Sequence, residues 1–300
     1  MRSQVRESHV LGSARVKTKW LSYSTPRRSK QVERSPIFGR FAILGNHSVL
    51  VIANGAAKSG STWLYNIVDE LVAFERPPSE YLLDEDNRNP EIQYDKLGIF
   101  LENLDYSSKD YLIKNHFNAP EERDLILSHA GVFVVDIERD LRDVVVSAYF
   151  HNLRESSFDG PFKKYYWQKG RWQADLVRSH HEAWKIAPKN RAYVSSYDRL
   201  KGDFTEEVRR IAKFLGRDIS DIDAKRIGEA TSIEKLRDKY DDKGDIKFFR
   251  KGVSGDWEDY FDRLMIRDIR EIEMRGIDGL GVFAKNFPLI IKKLHDYRIL

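Results

Sequence analysis

Residues 48–62, SVLVIANGAAKSGST, constrain the fold more than any other stretch of the chain. A run rich in Val and Ile ends at Asn54-Gly55, which reads as a buried strand closed by a turn. From Ser61 the order STWLYNIVDELVAF puts Leu64, Ile67, Val68 and Leu71 at helical spacing. Strand, glycine-bracketed turn and helix therefore follow one another without a gap. A turn in that position meets a helix N-terminus, whose free N–H groups and positive dipole end suit an anion.

Gly55 and Gly60 hold the bracket of a nucleotide-binding loop, Gly, four residues, Gly, Lys, Ser/Thr. The residue after Gly60 is Ser61, however, and the loop's lysine, Lys58, comes three positions early. A lysine inside the loop can stand beside a terminal anionic group and the atom that bridges it to the next phosphate. The ordinary loop lysine instead shares its work with Mg²⁺ held by the adjacent Ser/Thr. A terminal sulfuryl group carries one negative charge where a phosphoryl carries about two, so it can transfer without a divalent cation. Taken alone, the octapeptide also fits a glycine-rich structural turn.

Three further apolar runs read as strands: YLIKNHF at 111–117, GVFVVDIERD at 131–140 and RAYVSSYDRL at 191–200. The third strand of the chain, unbroken in its apolar run, suits the centre of a parallel sheet. Helices are predicted after residue 140 and, amphipathic, through Phe214-Leu215 to a stop at Gly216. Residues 75–93, rich in Pro and charge, read as a loop excursion. This alternation predicts an α/β fold with a single parallel β-sheet flanked by helices and a ligand site at the strands' carboxyl ends. Of the 300 residues, 1–40 carry ten Lys/Arg and two Asp/Glu, a net of +8, which leaves −4 for the rest. Residues 1–40 thus read as a basic, flexible arm, with organelle targeting or an anionic surface as its other readings, and 41–300 as the folded domain, order beginning near Pro36. An acidic body argues against a nucleic-acid binder. No run is long and apolar enough to span a membrane, and the absence of cysteine excludes thiolate chemistry and fits a reducing, cytoplasmic setting.

Two more stretches carry chemistry. Arg139 stands at a strand exit and Ser147 lies eight residues on, about two turns into the next helix, so both can face one anion. Arg139 also reads as an exposed arginine paired with Asp140 or Asp143. In FFRKGVSGDW, 248–257, Arg250 and Lys251 match a phosphate dianion and Gly252 lets backbone N–H groups approach it, while Asp256 and Trp257 fasten the turn. His180 and His181, adjacent on a predicted helix, diverge too far to share an ion and read as surface histidines. Phe158, Phe162, Tyr165, Tyr166 and Trp167 form an aromatic cluster that reads equally as core or as acceptor pocket.

At these stretches together the chain resembles the sulfotransferases that use 3′-phosphoadenosine 5′-phosphosulfate (PAPS). The family's P-K-S-G-T-T-W loop is matched by Ala57-Lys58-Ser59-Gly60-Ser61-Thr62-Trp63, its Arg-to-Ser segment by Arg139 and Ser147, and its R-K-G-x-x-G-D-W signature by Arg250 to Trp257. The order and spacing match from about residue 48 to 262. The resemblance implies a P-loop-like sulfotransferase fold and transfer of a sulfuryl group from PAPS to a hydroxyl or amine acceptor, with no metal. It makes His116 the base, with Lys114 and Lys58 beside it. It assigns the donor to Lys58, Ser59, Gly60, Ser61, Thr62, Trp63, Arg139, Ser147, Tyr197, Thr231, Ser232, Ile233, Phe249, Arg250, Lys251 and Gly252. Tyr197, in SSYDRL, and Thr231-Ser232-Ile233 are implied to lie about the adenine. Ala57 departs from the usual proline, and no match to the dimer segment of vertebrate cytosolic members follows GDW, which leaves oligomeric state and acceptor open. The rival readings are a P-loop kinase or NTPase, since GVFVVD ending at Asp136 imitates a Walker B strand, and a non-catalytic module that binds adenosine 3′,5′-bisphosphate.

Overall fold

The structure is a computed structural model that describes residues 49–72, 74–85, 88–104, 109–240 and 249–280. The basic arm at 1–40 and the domain's expected start at 41 lie outside the described residues.

Four strands, β1 (Leu50–Asn54), β2 (Tyr111–Lys114), β3 (Val132–Glu138) and β4 (Ala192–Ser196), form a parallel sheet in the order β2-β1-β3-β4. Each predicted apolar run supplies one of them. The helices are α1 (Ser61–Leu71), α2 (Leu97–Glu102), α3 (Pro120–Ser128), α4 (Leu141–Arg154), α5 (Phe162–Tyr165), α6 (Arg171–Lys185), α7 (Tyr197–Gly202), α8 (Phe204–Phe214), α9 (Asp221–Ala230), α10 (Ile233–Tyr240) and α11 (Arg263–Arg275). A single π-helical turn, Tyr166–Gly170, joins α5 to α6.

Both faces of the sheet are covered, which is why its strands read as near-continuous apolar runs. Val51 and Ala53, with Val135 and Ile137, pack on Leu64, Ile67 and Val68 of α1 and on Val208 and Ile211 of α8. Leu50, Ile52, Val132 and Val134 face the other way, onto Phe100, Phe117 and Trp184. A third core, between α4, α6 and α11, holds Phe162, Tyr165, Tyr166 and Trp167 around Phe261. The aromatic cluster is therefore largely core, with Phe158 at its edge.

Two expectations need correction. The fourth strand ends at Ser196 rather than running to residue 200, because the Ser196 hydroxyl accepts from the Arg199 amide and caps α7. His180 is not a surface residue: it is fully buried, on the α6 stripe formed by Ala174, Val177, Ala183 and Trp184.

Candidate functional site

The carboxyl ends of the four parallel strands lie along one edge of the sheet, where the loop, His116, Arg139 and Tyr197 follow β1, β2, β3 and β4. After Asn54 the chain turns through the loop into α1, whose cap residue Gly60 has φ 105° and supplies no side-chain cap to the first helical N–H groups. A Cβ at Gly60 would lie 2.9 Å from Cδ2 of Tyr197, so the loop presses directly on the α7 aromatic. Lys58 itself sits at φ 75°, a left-handed conformation that costs a side-chain-bearing residue about 1–2 kcal/mol. Such local strain is typical of ligand loops. Ser59 Oγ and Trp63 Nε1 are buried and find no hydrogen-bond partner among the described residues. Buried polar groups are normally satisfied, so this loop fits a polar ligand with acceptor oxygens.

Burial, and then the cations of Arg154, Lys114 and Arg139, push the Lys58 ammonium down to about 7. An anion in their midst would relieve all of these at once. His116 lies on the segment that leaves β2. Its Nδ1 is 2.6 Å from the Gly55 carbonyl oxygen, which can only accept, so Nδ1 carries the proton. Nε2 is then the bare nitrogen, and it accepts from Lys114 Nζ at 3.2 Å. Lys114 is buried and also donates to Glu91 at 2.6 Å. Burial and the Lys114 charge hold His116 down at about 3, so the imidazole is neutral at physiological pH.

Arg139 does not pair with Asp140, which instead caps α4 and binds Arg142. Its guanidinium donates to the carbonyls of Lys58 at 3.4 Å and Val253 at 3.0 Å, and lies 4.1 Å over the Tyr197 ring. One arginine thus joins the loop to the late basic turn. On α4, Asp143, Ser147, Phe150 and Arg154 recur at spacings of three and four and so share a face. Asp143 accepts from the amides of Gly255 and Trp257 at 2.8 and 3.1 Å, and Arg250 lies 4.2 Å over the Phe150 ring. The half-buried Ser147 sits between these two contacts. Asp256 accepts from Arg250 and from Lys251, the latter at 2.5 Å. It fastens the turn, as expected, and neutralises part of its charge.

Gly252 has φ 67°, and a Cβ there would come within 2.5 Å of Ile233 Cδ1. Ile233 therefore packs on the basic turn. Thr231 is buried and donates to the Ile227 carbonyl, while Ser232 Oγ accepts from the Lys235 amide at the start of α10. Phe249 is half-buried against Tyr240, and Arg237 binds its carbonyl. Trp63, edge-on to Tyr197 at 5.4 Å and stacked on Phe204 at 5.9 Å, completes an aromatic wall beside the loop.

Sequence reasoning missed two groups. One is the α4 end, where His151 and Arg154 lie within electrostatic range of Lys58. The other is the Asp136 carboxylate, whose Oδ1 accepts from Asn54 at 2.9 Å and from buried His180 at 2.9 Å. That oxygen is committed inside the protein, which departs from the metal-facing aspartate of a Walker B strand. The apolar spacing of α6 was the signal for His180.

The chain is similar to known proteins over most of its length. The sulfotransferase domain family matches residues 48–281. Sulfotransferase 1A1 of Rattus norvegicus is 25% identical over 226 residues, covering 68% of this chain and 76% of that protein. Sulfotransferase 1E1 of Cavia porcellus is 27% identical over 237 residues, covering 71% and 77%. The crystal structure of mouse sulfotransferase SULT7A1 complexed with PAP superposes with a TM-score of 0.57 at 21% identity, over 80% of this chain and 88% of that one. That of retinol dehydratase in complex with androsterone and PAP gives 0.56 at 21% identity, over 78% and 82%. The fold is that of the sulfotransferases, a P-loop-like parallel sheet. The chain belongs to the sulfotransferase domain family, and its activity is sulfuryl transfer.

Proposed function

We propose that the protein transfers a sulfuryl group from PAPS to a hydroxyl acceptor, with His116 as the base. The observation that carries this reading is the hydrogen-bonded order Gly55 carbonyl, His116 ring, Lys114 ammonium. It holds a bare Nε2 at the mouth of an anion loop. PAP, the desulfated product, is bound in the structures of the mouse sulfotransferase and of retinol dehydratase. The loop residues Lys58, Ser59, Gly60, Ser61 and Thr62 take the phosphosulfate, and Trp63 and Tyr197 with Thr231, Ser232 and Ile233 flank the adenine. Arg139, Ser147, Arg250, Lys251 and Gly252 take the 3′-phosphate, with Phe249 beside them.

The acceptor oxygen attacks sulfur, the bond from sulfur to the bridging phosphate oxygen breaks, and the acceptor's proton passes to His116 Nε2. Charge grows on the bridging oxygen as that bond lengthens, and Lys58 and the loop N–H groups stand where it grows. The 3′-phosphate is remote from this chemistry, so its contacts position the donor. The charged pair Arg154 and Glu155, with His151, stands near Lys58 in place of a greasy wall, which favours a polar or anionic acceptor. Incubation with ³⁵S-labelled PAPS and a panel of hydroxyl and amine acceptors tests the reading. Label appears in a hydroxyl product without added divalent metal, and ATP turnover dependent on Mg²⁺ would instead restore the kinase reading.

A further inference from the structure

A series of hydrogen bonds holds the segment that leaves β2. The His116 carbonyl accepts from Tyr94 Oη and from Asn118 Nδ2, both at 2.7 Å. The Phe117 amide donates to Asn54 Oδ1 at 2.9 Å, and its carbonyl accepts from Trp184 Nε1 at 2.8 Å. The Asn118 amide donates to Glu122 at 2.8 Å. What remains is Asn118 Oδ1, which lies 3.0 Å from Nδ1 of His180.

The donors and acceptors here fix the Asn118 amide and one ring proton of His180. The His116 carbonyl can only accept, so the Asn118 side chain must offer it the NH₂ group and turn its oxygen to His180. That oxygen accepts, so His180 Nδ1 carries a proton. The other ring nitrogen, Nε2, lies 2.9 Å from Asp136 Oδ1, which already accepts from the Asn54 amide. An ionised carboxylate accepting twice requires a proton on Nε2 as well. With Asp136 ionised, His180 carries both ring protons, although neither it nor Asp136 exposes any surface.

A buried ion pair of this kind is seldom kept for stability, because desolvating two charges offsets most of their attraction. Asp136 Oδ2 is moreover buried with no partner among the described residues. The pair does have a geometric consequence. His180 and Trp184, four residues apart on one face of α6, grip the two residues that follow His116. We propose that His180, held as an imidazolium by Asp136, is a positioning residue that sets the base His116 through Asn118. The proposal rests on the reading of His116 as the base, and it adds a charge state and a path that nothing in that reading requires.

Its test combines a spectroscopic signature with kinetics on the full chain. Long-range ¹H–¹⁵N spectra of protein labelled at histidine, at pH 7.5, are expected to show one ring with both nitrogens protonated. That signal disappears in His180→Gln and changes in Asp136→Asn. A bare ring nitrogen on His180 in the native protein overturns the assignment. Asn118→Ala and Asn118→Asp, which keep both His180 and Asp136 in the chain, are expected to lower kcat about 10- to 100-fold through misplacement of His116. Donor KM and Tm should stay close to the native values. An unchanged kcat, or a loss shared equally with donor affinity and Tm, overturns the positioning role. If His116→Ala keeps full turnover, the base reading fails instead, and the protonation result stands apart from it.

Discussion

Nδ1 of His116 lies 2.6 Å from the carbonyl oxygen of Gly55, so the first residue of the glycine-bracketed loop dictates which nitrogen of the imidazole is bare. The hydrogen bond ties the exits of β1 and β2 together. It also implies that base and loop are separable in function. His116→Ala removes the proton acceptor and leaves the N–H groups of the loop in place. It is expected to reduce kcat by roughly 10²- to 10⁴-fold. Affinity for adenosine 3′,5′-bisphosphate, measured by calorimetric titration, should change by less than about threefold. A mutant that retains turnover would remove His116 from its role.

Lys58 leads to a prediction about protons. In the free protein its ammonium is held down at about 7 by burial and neighbouring cations, so at pH 8 it is mostly neutral. The phosphates of the nucleotide favour its charged form and raise that value. Binding at pH 8 should therefore take up close to one proton, and at pH 6, where Lys58 is already charged, much less from this residue. Calorimetry in buffers of different ionisation enthalpy reads the uptake directly. Lys58→Arg, charged throughout, should abolish it. Lys58→Ala should cost on the order of 10²- to 10³-fold in kcat. Identical binding enthalpies in all buffers at pH 8 would contradict the assignment.

The loop and the strands were legible because their determinants are local. Val51, Ile52 and Ala53 are buried on both faces of a parallel sheet and so form an unbroken apolar run, and Lys58, Gly60 and Trp63 act within one turn. What escaped depends on partners distant in the chain. His180 and Asp136 are 44 residues apart, and an adjacent His-His pair suggests a surface when only its own neighbours are weighed. The end of β4 was lost for the opposite reason. Tyr193 and Val194 run on smoothly into Tyr197, and only the Ser196 cap marks where strand turns to helix.

Arg139 bridges the loop and the late basic turn, bonded to the carbonyls of Lys58 and Val253, and predicts a selective loss. Charged hydrogen bonds contribute about 1.5–3 kcal/mol each, which is roughly 10- to 100-fold in Kd. Arg139→Ala and Arg250→Ala should weaken adenosine 3′,5′-bisphosphate by that factor. Binding of adenosine 5′-phosphate, which lacks the 3′ group, should fall much less with Arg250→Ala than with Arg139→Ala, since Arg139 also touches the loop. Equal losses for both nucleotides in the Arg250 variant would detach the late turn from the 3′-phosphate.

In the last turn of α4, Arg154 donates to Glu155 at 2.7 Å and contacts His151 Nδ1 at 3.3 Å. Burial, Lys58 and Arg154 hold His151 at about 4, so it is neutral at physiological pH. Under the proposed function, Arg154 and Lys58 are then cations beside the acceptor. Phenols that bear a carboxylate should have a higher kcat/KM than neutral phenols of the same acidity. Arg154→Ala should narrow that ratio about tenfold while leaving donor KM within a factor of about two. Neutral phenols preferred by the native protein would exclude a cationic acceptor site.

Gly252 offers the sharpest separation of backbone from side-chain effects. Its φ of 67° disfavours any side chain, and its missing Cβ leaves room for Ile233 Cδ1, 2.5 Å from where that atom would stand. Gly252→Ala should therefore suffer twice, once from left-handed strain of about 1–2 kcal/mol and once from the displaced isoleucine. Ile233→Val deletes the offending methyl. The double variant should regain part of the nucleotide affinity lost in Gly252→Ala, because the collision is gone while the backbone strain remains. Titration with adenosine 3′,5′-bisphosphate separates the two contributions. Should Gly252→Ala bind as tightly as the native chain, neither the turn's conformation nor its packing on α10 governs donor binding.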